Sequence, residues 1–227
     1  MFKKLADMLT RRTNSHLINS EKEIIKKYPN IKSVIHVGGC HCQEFVVYDA
    51  KGLRSLFVEP IPEMVTLAKQ KYPSINIFEY ALCDVDDDEV VFNVTSDNNI
   101  GSSSLLELDE HSRHHPDVLH EKNITVRTMT LDSLVKKIGW VPELLVLDTQ
   151  GSEGAIIDGG CETLSNSDLQ YIFTEVNFSS MYKGCILWPD LKTKIESFGF
   201  EKVAHDRWFE KYEALAQQQG NALFKRI

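Results

Sequence analysis

Four places in this chain set a polar or flexible residue where an apolar stretch ends: the Gly38-Gly39 turn, Glu59, the segment from Asp148 to Glu153, and Glu175. An acid that leaves a run such as Leu144-Leu145-Val146-Leu147 is expected to have a partner or a purpose, because a buried unpaired carboxylate is costly. The spacing of the first two places is informative, since Gly38 and Glu59 are 21 residues apart. A glycine turn lets backbone approach a ligand closely, and an acid about 20 residues later can accept both hydroxyls of a ribose. That pairing suits any adenosine-bearing cofactor.

Such residues need strands to carry them and helices to hold the strands. Short apolar runs alternate with longer amphipathic stretches, the pattern of repeated βα units around a parallel sheet. Ser33-Val34-Ile35-His36-Val37 predicts a buried first strand that meets the glycine turn. Residues 43–50 predict a helix, and Ser55-Leu56-Phe57-Val58 a second strand delivering Glu59. Pro60 and Pro62 open a helix to Lys71, and residues 76–80 form a third strand followed by Ala81. Residues 90–94 and 124–129 read as strands around a polar stretch, 96–123, which is too long for a simple connection and is expected to be a cover or a mobile segment. A short helix from Thr130 precedes the most apolar strand, residues 144–147, and a further helix runs to Asp158 and stops at Gly159-Gly160. Tyr171-Ile172-Phe173-Thr174 delivers Glu175, and a helix over 189–198 with strands near 200–204 and 221–225 completes the chain.

With 227 residues, 42% of them hydrophobic and 26% charged, the chain is sized for one main domain with a substantial core. The formal charge of −8 argues against a broad phosphate-binding surface, so nucleic acid is not the expected partner. No apolar run approaches the roughly 20 residues of a membrane-spanning helix, and residues 1–14 hold no signal-peptide core. Five scattered cysteines predict reduced thiols in a cytoplasmic compartment rather than a disulfide scaffold. Cys40-His41-Cys42 together with His111, His114 and His115 invites a zinc reading, but structural zinc uses C-x(2–4)-C pairs, so no metal is expected.

The wording of the turn narrows the cofactor. A dinucleotide fold calls for G-x-G-x-x-G, whereas Gly38-Gly39-Cys40-His41-Cys42-Gln43 has no later glycine. At this point the chain resembles the FkbM-type class I methyltransferases, over about residues 33–227. The family's D-V-G-A-N-x-G-Q is matched by His36-Val37-Gly38-Gly39-Cys40-His41-Cys42-Gln43, with His36, Cys40 and Cys42 as departures. Its second-strand acid and proline are matched by Glu59-Pro60, and its D-V-E-G-x-E by Asp148-Thr149-Gln150-Gly151-Ser152-Glu153. Its late strand ending in glutamate looks like Thr174-Glu175-Val176-Asn177, and its closing N-x-L-F like Asn221-Ala222-Leu223-Phe224. Ser102, Ser103 and Ser104 match a serine-bearing stretch that the family often carries.

The resemblance implies a Rossmann-like α/β domain over residues 31–227, with a mostly parallel seven-stranded sheet and helices on both faces, behind a helical extension of residues 1–30. It implies S-adenosylmethionine as cofactor, held by Gly38, Gly39, Cys40, His41, Glu44, Glu59, Pro60, Ala81 and Asp148. The reaction implied is methyl transfer to a hydroxyl on a sugar, glycan or secondary metabolite, and it needs positioning and a base. Asp148 is the first candidate for that base, Glu175 the second and His41 the third. Plainer readings stand beside these. Glu153 stabilises its helix N-terminus, His36 is a hydrogen-bonded core histidine, and the histidine-rich residues 110–120 are a solvated part of the long stretch. The rival functions are a non-catalytic scaffold that keeps the fold and an NAD(P)-dependent oxidoreductase. A homo-oligomer is compatible with all three.

Overall fold

The computed structural model describes residues 17–227. The part of the expected N-terminal extension before Leu17 lies outside them. Helix α1 (Glu21–Lys27) buries Ile24 and Ile25 against the domain, and Ile18 donates its N–H to the His205 carbonyl at 2.8 Å.

The βα units then follow: β1 (Ser33–Val37), α2 (Phe45–Ala50), β2 (Arg54–Val58), α3 (Pro62–Lys71) and β3 (Ile77–Phe78). After a middle region come α5 (Leu131–Ile138), β7 (Leu144–Leu147), α6 (Glu153–Asp158), α7 (Cys161–Ser165), β8 (Tyr171–Asn177), α8 (Trp188–Glu196), β9 (Phe200–His205), α9 (Phe209–Leu215) and β10 (Gln219–Arg226). The main sheet has seven strands in the order β3-β2-β1-β7-β8-β10-β9. Neighbours are parallel except β10, which lies antiparallel between β8 and β9. A sheet covered on both faces demands strands that are apolar at every position. Strand β7 meets that demand: Leu145 and Leu147 join one core, Leu144 and Val146 the other, and none is more than 1% exposed.

The strands expected over 90–94 and 124–129 are present in the middle region, but outside the main sheet. Strands β4 (Ala81–Leu82), β5 (Glu89–Thr95) and β6 (His120–Met129) form a second sheet in the order β4-β6-β5. Its inner face, with Phe92, Val94 and Val126, packs with Ile61, Ala81 and Ile100 into a third apolar cluster. The polar stretch 96–123 carries local structure of its own. It holds a 3-10 turn (Asp97–Ser102), the short helix α4 (His111–His114) and the start of β6. Backbone bonds tie its middle to the rest of the domain, Asn93 to Ser104 at 2.9 and 3.0 Å and Asp109 to Met181 at 2.9 Å.

The helix α6 ends at Asp158 and stops at Gly159-Gly160 as expected, and α7 begins directly after that pair. A Cβ on Gly159 would stand 2.2 Å from the Cys83 carbonyl, so close approach to the second sheet demands glycine there. Among the described residues no helix is long and apolar enough to cross a membrane, and all five thiols are free.

Candidate functional site

The parallel strands point their carboxyl ends at one edge, and there the βα loops leave a cleft. At its centre β1 runs into Gly38, whose φ is +84° and whose N–H, like that of Gly39, reaches the Val58 carbonyl. A Cβ at Gly38 would lie 1.8 Å from the Asp148 carbonyl. Neighbouring strand ends could not come this close with any other residue. Cys40 and Cys42 continue the turn with φ of 44° and 50°. The turn therefore keeps a left-handed path at positions where the resembling sequences have asparagine and glycine, which adopt it more readily.

This turn divides the cleft into two connected halves. The first is mostly apolar, walled by Val58, Ile61, Tyr80, Ala81, Leu82 and Phe92, with Pro60 and Leu105 beside them, and Glu59 is the acid it does not share with the other half. The second is polar and is lined by Glu21, His41, Gln43, Glu44, Asn98 and Asn99. Gly38, Cys40, Ile100, Gly101 and Asp148 line both. Of the residues expected at a site, all but Glu175 reach the cleft, and Glu175 stands behind Gln150.

The acids are tied in specific ways. Glu59, 4% exposed, accepts the Cys40 N–H on Oε2 at 2.7 Å and the Ile61 N–H on Oε1 at 2.9 Å. It thereby couples the glycine turn to the start of α3, while burial pushes its pKa up to about 7. Asp148 is open to the cleft but walled by protein, and this crowding, with the charge of Glu44, raises its pKa against the opposing donation from Gln150. Its Oδ1 accepts from Gln150 at 2.7 Å. No other described side chain or backbone amide donates to the carboxylate, which leaves Oδ2 free. Burial also raises Glu21 to about 7, with smaller contributions from the charges of Glu44 and Asp148. Among the described residues no Lys or Arg lines either half, and none pairs with Glu21, Glu44, Glu59, Asp148, Glu153 or Glu175.

Two expectations of plain structure acquire partners here. His36 is buried, shares a hydrogen bond of 3.0 Å with the Tyr48 hydroxyl and is pushed down to about 4 by burial, so it stands neutral in the strand. Glu153 is fully buried, and its Oε1 accepts from the Thr149 N–H and hydroxyl, both at 2.9 Å. It folds the 148–152 loop back on the helix start, which is more than the expected dipole effect.

Of three further participants, two, Glu21 and Tyr182, had no signal of their own in the sequence. Glu21 sits on the helix before β1, Tyr182 follows β8, and Ser104 lies in the serine stretch, donating to the Gln150 carbonyl at 2.8 Å. Only the serine stretch had been marked by a motif.

The family model of the methyltransferase FkbM domain matches residues 34–202. A search of curated proteins finds no match. Among solved structures, the magnesium protoporphyrin IX methyltransferase ChlM from Synechocystis PCC 6803 with bound SAH is similar at a TM-score of 0.51 and 8% identity, over 91% of this chain and 80% of that one. The methyltransferase domain of bacterial CtHen1-C is similar at a TM-score of 0.50 and 11% identity, over 90% and 94%. At such identities the likeness speaks to the fold alone.

Proposed function

The chain belongs to the FkbM methyltransferase family, and from that premise we propose that it transfers a methyl group from S-adenosylmethionine to a hydroxyl on a sugar, glycan or secondary metabolite. The carrying observation is the charge of the cleft: carboxylates line it, and among the described residues no cation does. S-adenosylmethionine is a cation at its sulfonium, which this lining suits, whereas a dinucleotide would set a pyrophosphate against the acids. The same lining favours an acceptor without negative charge.

The donor set fits the cofactor. Glu59 would take the ribose hydroxyls, and the apolar half around Tyr80, Ala81 and Phe92 would take the adenine. The backbone at Gly38 and Gly39 would run beside the ligand, with Cys40, His41 and Glu44 facing its amino-acid end. When bound, S-adenosylmethionine supplies an electrophilic methyl carbon on its sulfonium. The protein orients the acceptor in line and receives its proton. Asp148 takes that role, because it lines the cleft and its Oδ2 accepts no bond from the described residues. Glu175 and His41 rank behind it, one screened by Gln150 and the other exposed at the mouth.

Mass spectrometry of the purified protein is expected to find S-adenosylmethionine or its demethylated product carried along. A thermal shift should follow addition of either compound and not of NAD. A shift with NAD alone, or none with any of the three, would sink the reading. A labelled-methyl assay over a panel of neutral glycans and small alcohols then identifies the acceptor, and transfer confined to nitrogen or carbon acceptors would remove the hydroxyl assignment.

A further inference from the structure

Gln150 occupies an unusual position. It follows Asp148 by two residues, holds a left-handed φ of 56°, and has its carbonyl fixed by the Ser104 hydroxyl. Its side-chain nitrogen donates to Asp148 Oδ1 at 2.7 Å and to Glu175 Oε2 at 3.0 Å. Its side-chain oxygen accepts the Tyr182 hydroxyl at 2.8 Å. The orientation of the amide follows from its partners: turned over, its oxygen would face two carboxylates.

We propose that Gln150 is a positioning residue for methyl transfer, bridging Asp148 and Glu175 so that Asp148 Oδ1 is held and Oδ2 alone is presented to the acceptor. The inference rests on the general-base reading of Asp148. One neutral donor here does two things at once. It supports the charged form of Asp148 in a crowded place where no cation does so, and it separates two acids that would otherwise face each other directly. Tyr182 is the latch, since its O–H fixes which end of the amide points at the acids. Its hydroxyl also lies 3.3 Å from the Ser102 carbonyl, a longer and weaker alternative acceptor.

The titration itself needs no known acceptor, and the methyl-transfer readout uses the acceptor found in the labelled-methyl assay. Carboxyl-carbon NMR of the full chain follows the titration of Asp148, its signal identified by its loss in Asp148→Asn. In Gln150→Met, which keeps the shape and removes the donors, the midpoint is expected to rise by about one pH unit. In Gln150→Glu it should rise at least as far, because three acids in contact must share a proton. Tyr182→Phe, which frees the amide to turn, should move it in the same direction by less. Calorimetry with the demethylated cofactor confirms that each variant is folded. An unmoved midpoint in folded Gln150→Glu and Gln150→Met overturns the proposal. If Gln150→Met does not fold, Gln150→Glu and Tyr182→Phe decide, and an unmoved midpoint in both overturns it equally. Moved midpoints beside wild-type methyl transfer by Asp148→Asn would retire the base assignment and with it the positioning role, leaving the bridge as structure only.

Discussion

Asp148 and Glu59 are both acids at strand ends, yet their surroundings assign them different work. Asp148 has one oxygen bonded and one free. Replacing it with alanine is therefore expected to reduce methyl transfer by about a hundredfold or more, within the range of general-base catalysis, while cofactor affinity changes little. Single-turnover kinetics beside calorimetry makes the comparison, and unchanged turnover would remove Asp148 from the mechanism. Glu59 has both oxygens engaged by backbone N–H groups and a pKa raised by burial to about 7. Its protonated form is favoured by folding, so its contribution to stability is complete below about pH 4.5 and is lost as pH rises through 7. Glu59→Gln should flatten the fall in Tm between pH 5 and 8 and weaken binding of adenosine ligands about tenfold or more. An unaltered Tm profile with wild-type affinity would contradict both roles. These two acids were legible because each closes an apolar run at a telling spacing. Glu21 and Tyr182 were not, because their meaning lies in distances across the fold: Tyr182 is 32 residues from the amide it latches.

At the level of elements, the glycine turn binds β1 to β7 so closely that the backbone of one strand end occupies the space of a side chain on the other. Gly38→Ala should cost about 3 kcal/mol, from both its positive φ and the collision with Asp148, or roughly 6–12 °C in Tm for a domain of this size. Thermal unfolding of the variant measures this, and a loss under 2 °C would show that the strand ends can part. The alternation of strands and helices was readable because burial on both faces leaves long apolar runs. Of the second sheet, β5 and β6 were readable as strands, but β4 and the pairing were not. Strand β4 has two residues, and its partner β6 begins almost 40 positions later, so no local pattern announces the pairing. Residues 96–123 looked like a loop for the same reason. Their anchors, Asn93, Met181 and Gln150, lie outside the stretch.

For the molecule as a whole, unpaired acids and buried histidines oppose each other with pH. Glu21 and Glu59 rise to about 7, and burial also raises Asp148, Glu153 and Glu175, so these groups favour the folded state at low pH and withdraw that support as pH rises. Burial lowers His36 and His111 to about 4, so their contribution is lost as pH falls from 6.5 through 4 and is complete above 6.5. Below pH 6.5 the two sets partly cancel, and above it only the acids still titrate. The ligand-free protein is expected to lose Tm as pH rises from about 6.5 through 7, while affinity for S-adenosylmethionine rises over the same interval. Parallel thermal scans and calorimetry follow both, and a Tm that climbs through this interval would mean that the cleft acids hold cation partners.

The uncompensated carboxylates also set a direction for the catalytic cycle. Methyl transfer turns a sulfonium into a thioether, so the ligand loses a positive charge at the moment its chemical task is finished. A cavity that attracts the charged donor holds the spent one less firmly, and each turnover loosens its own product. The same acids that make the empty protein fragile above neutral pH thus favour exchange of used cofactor for fresh.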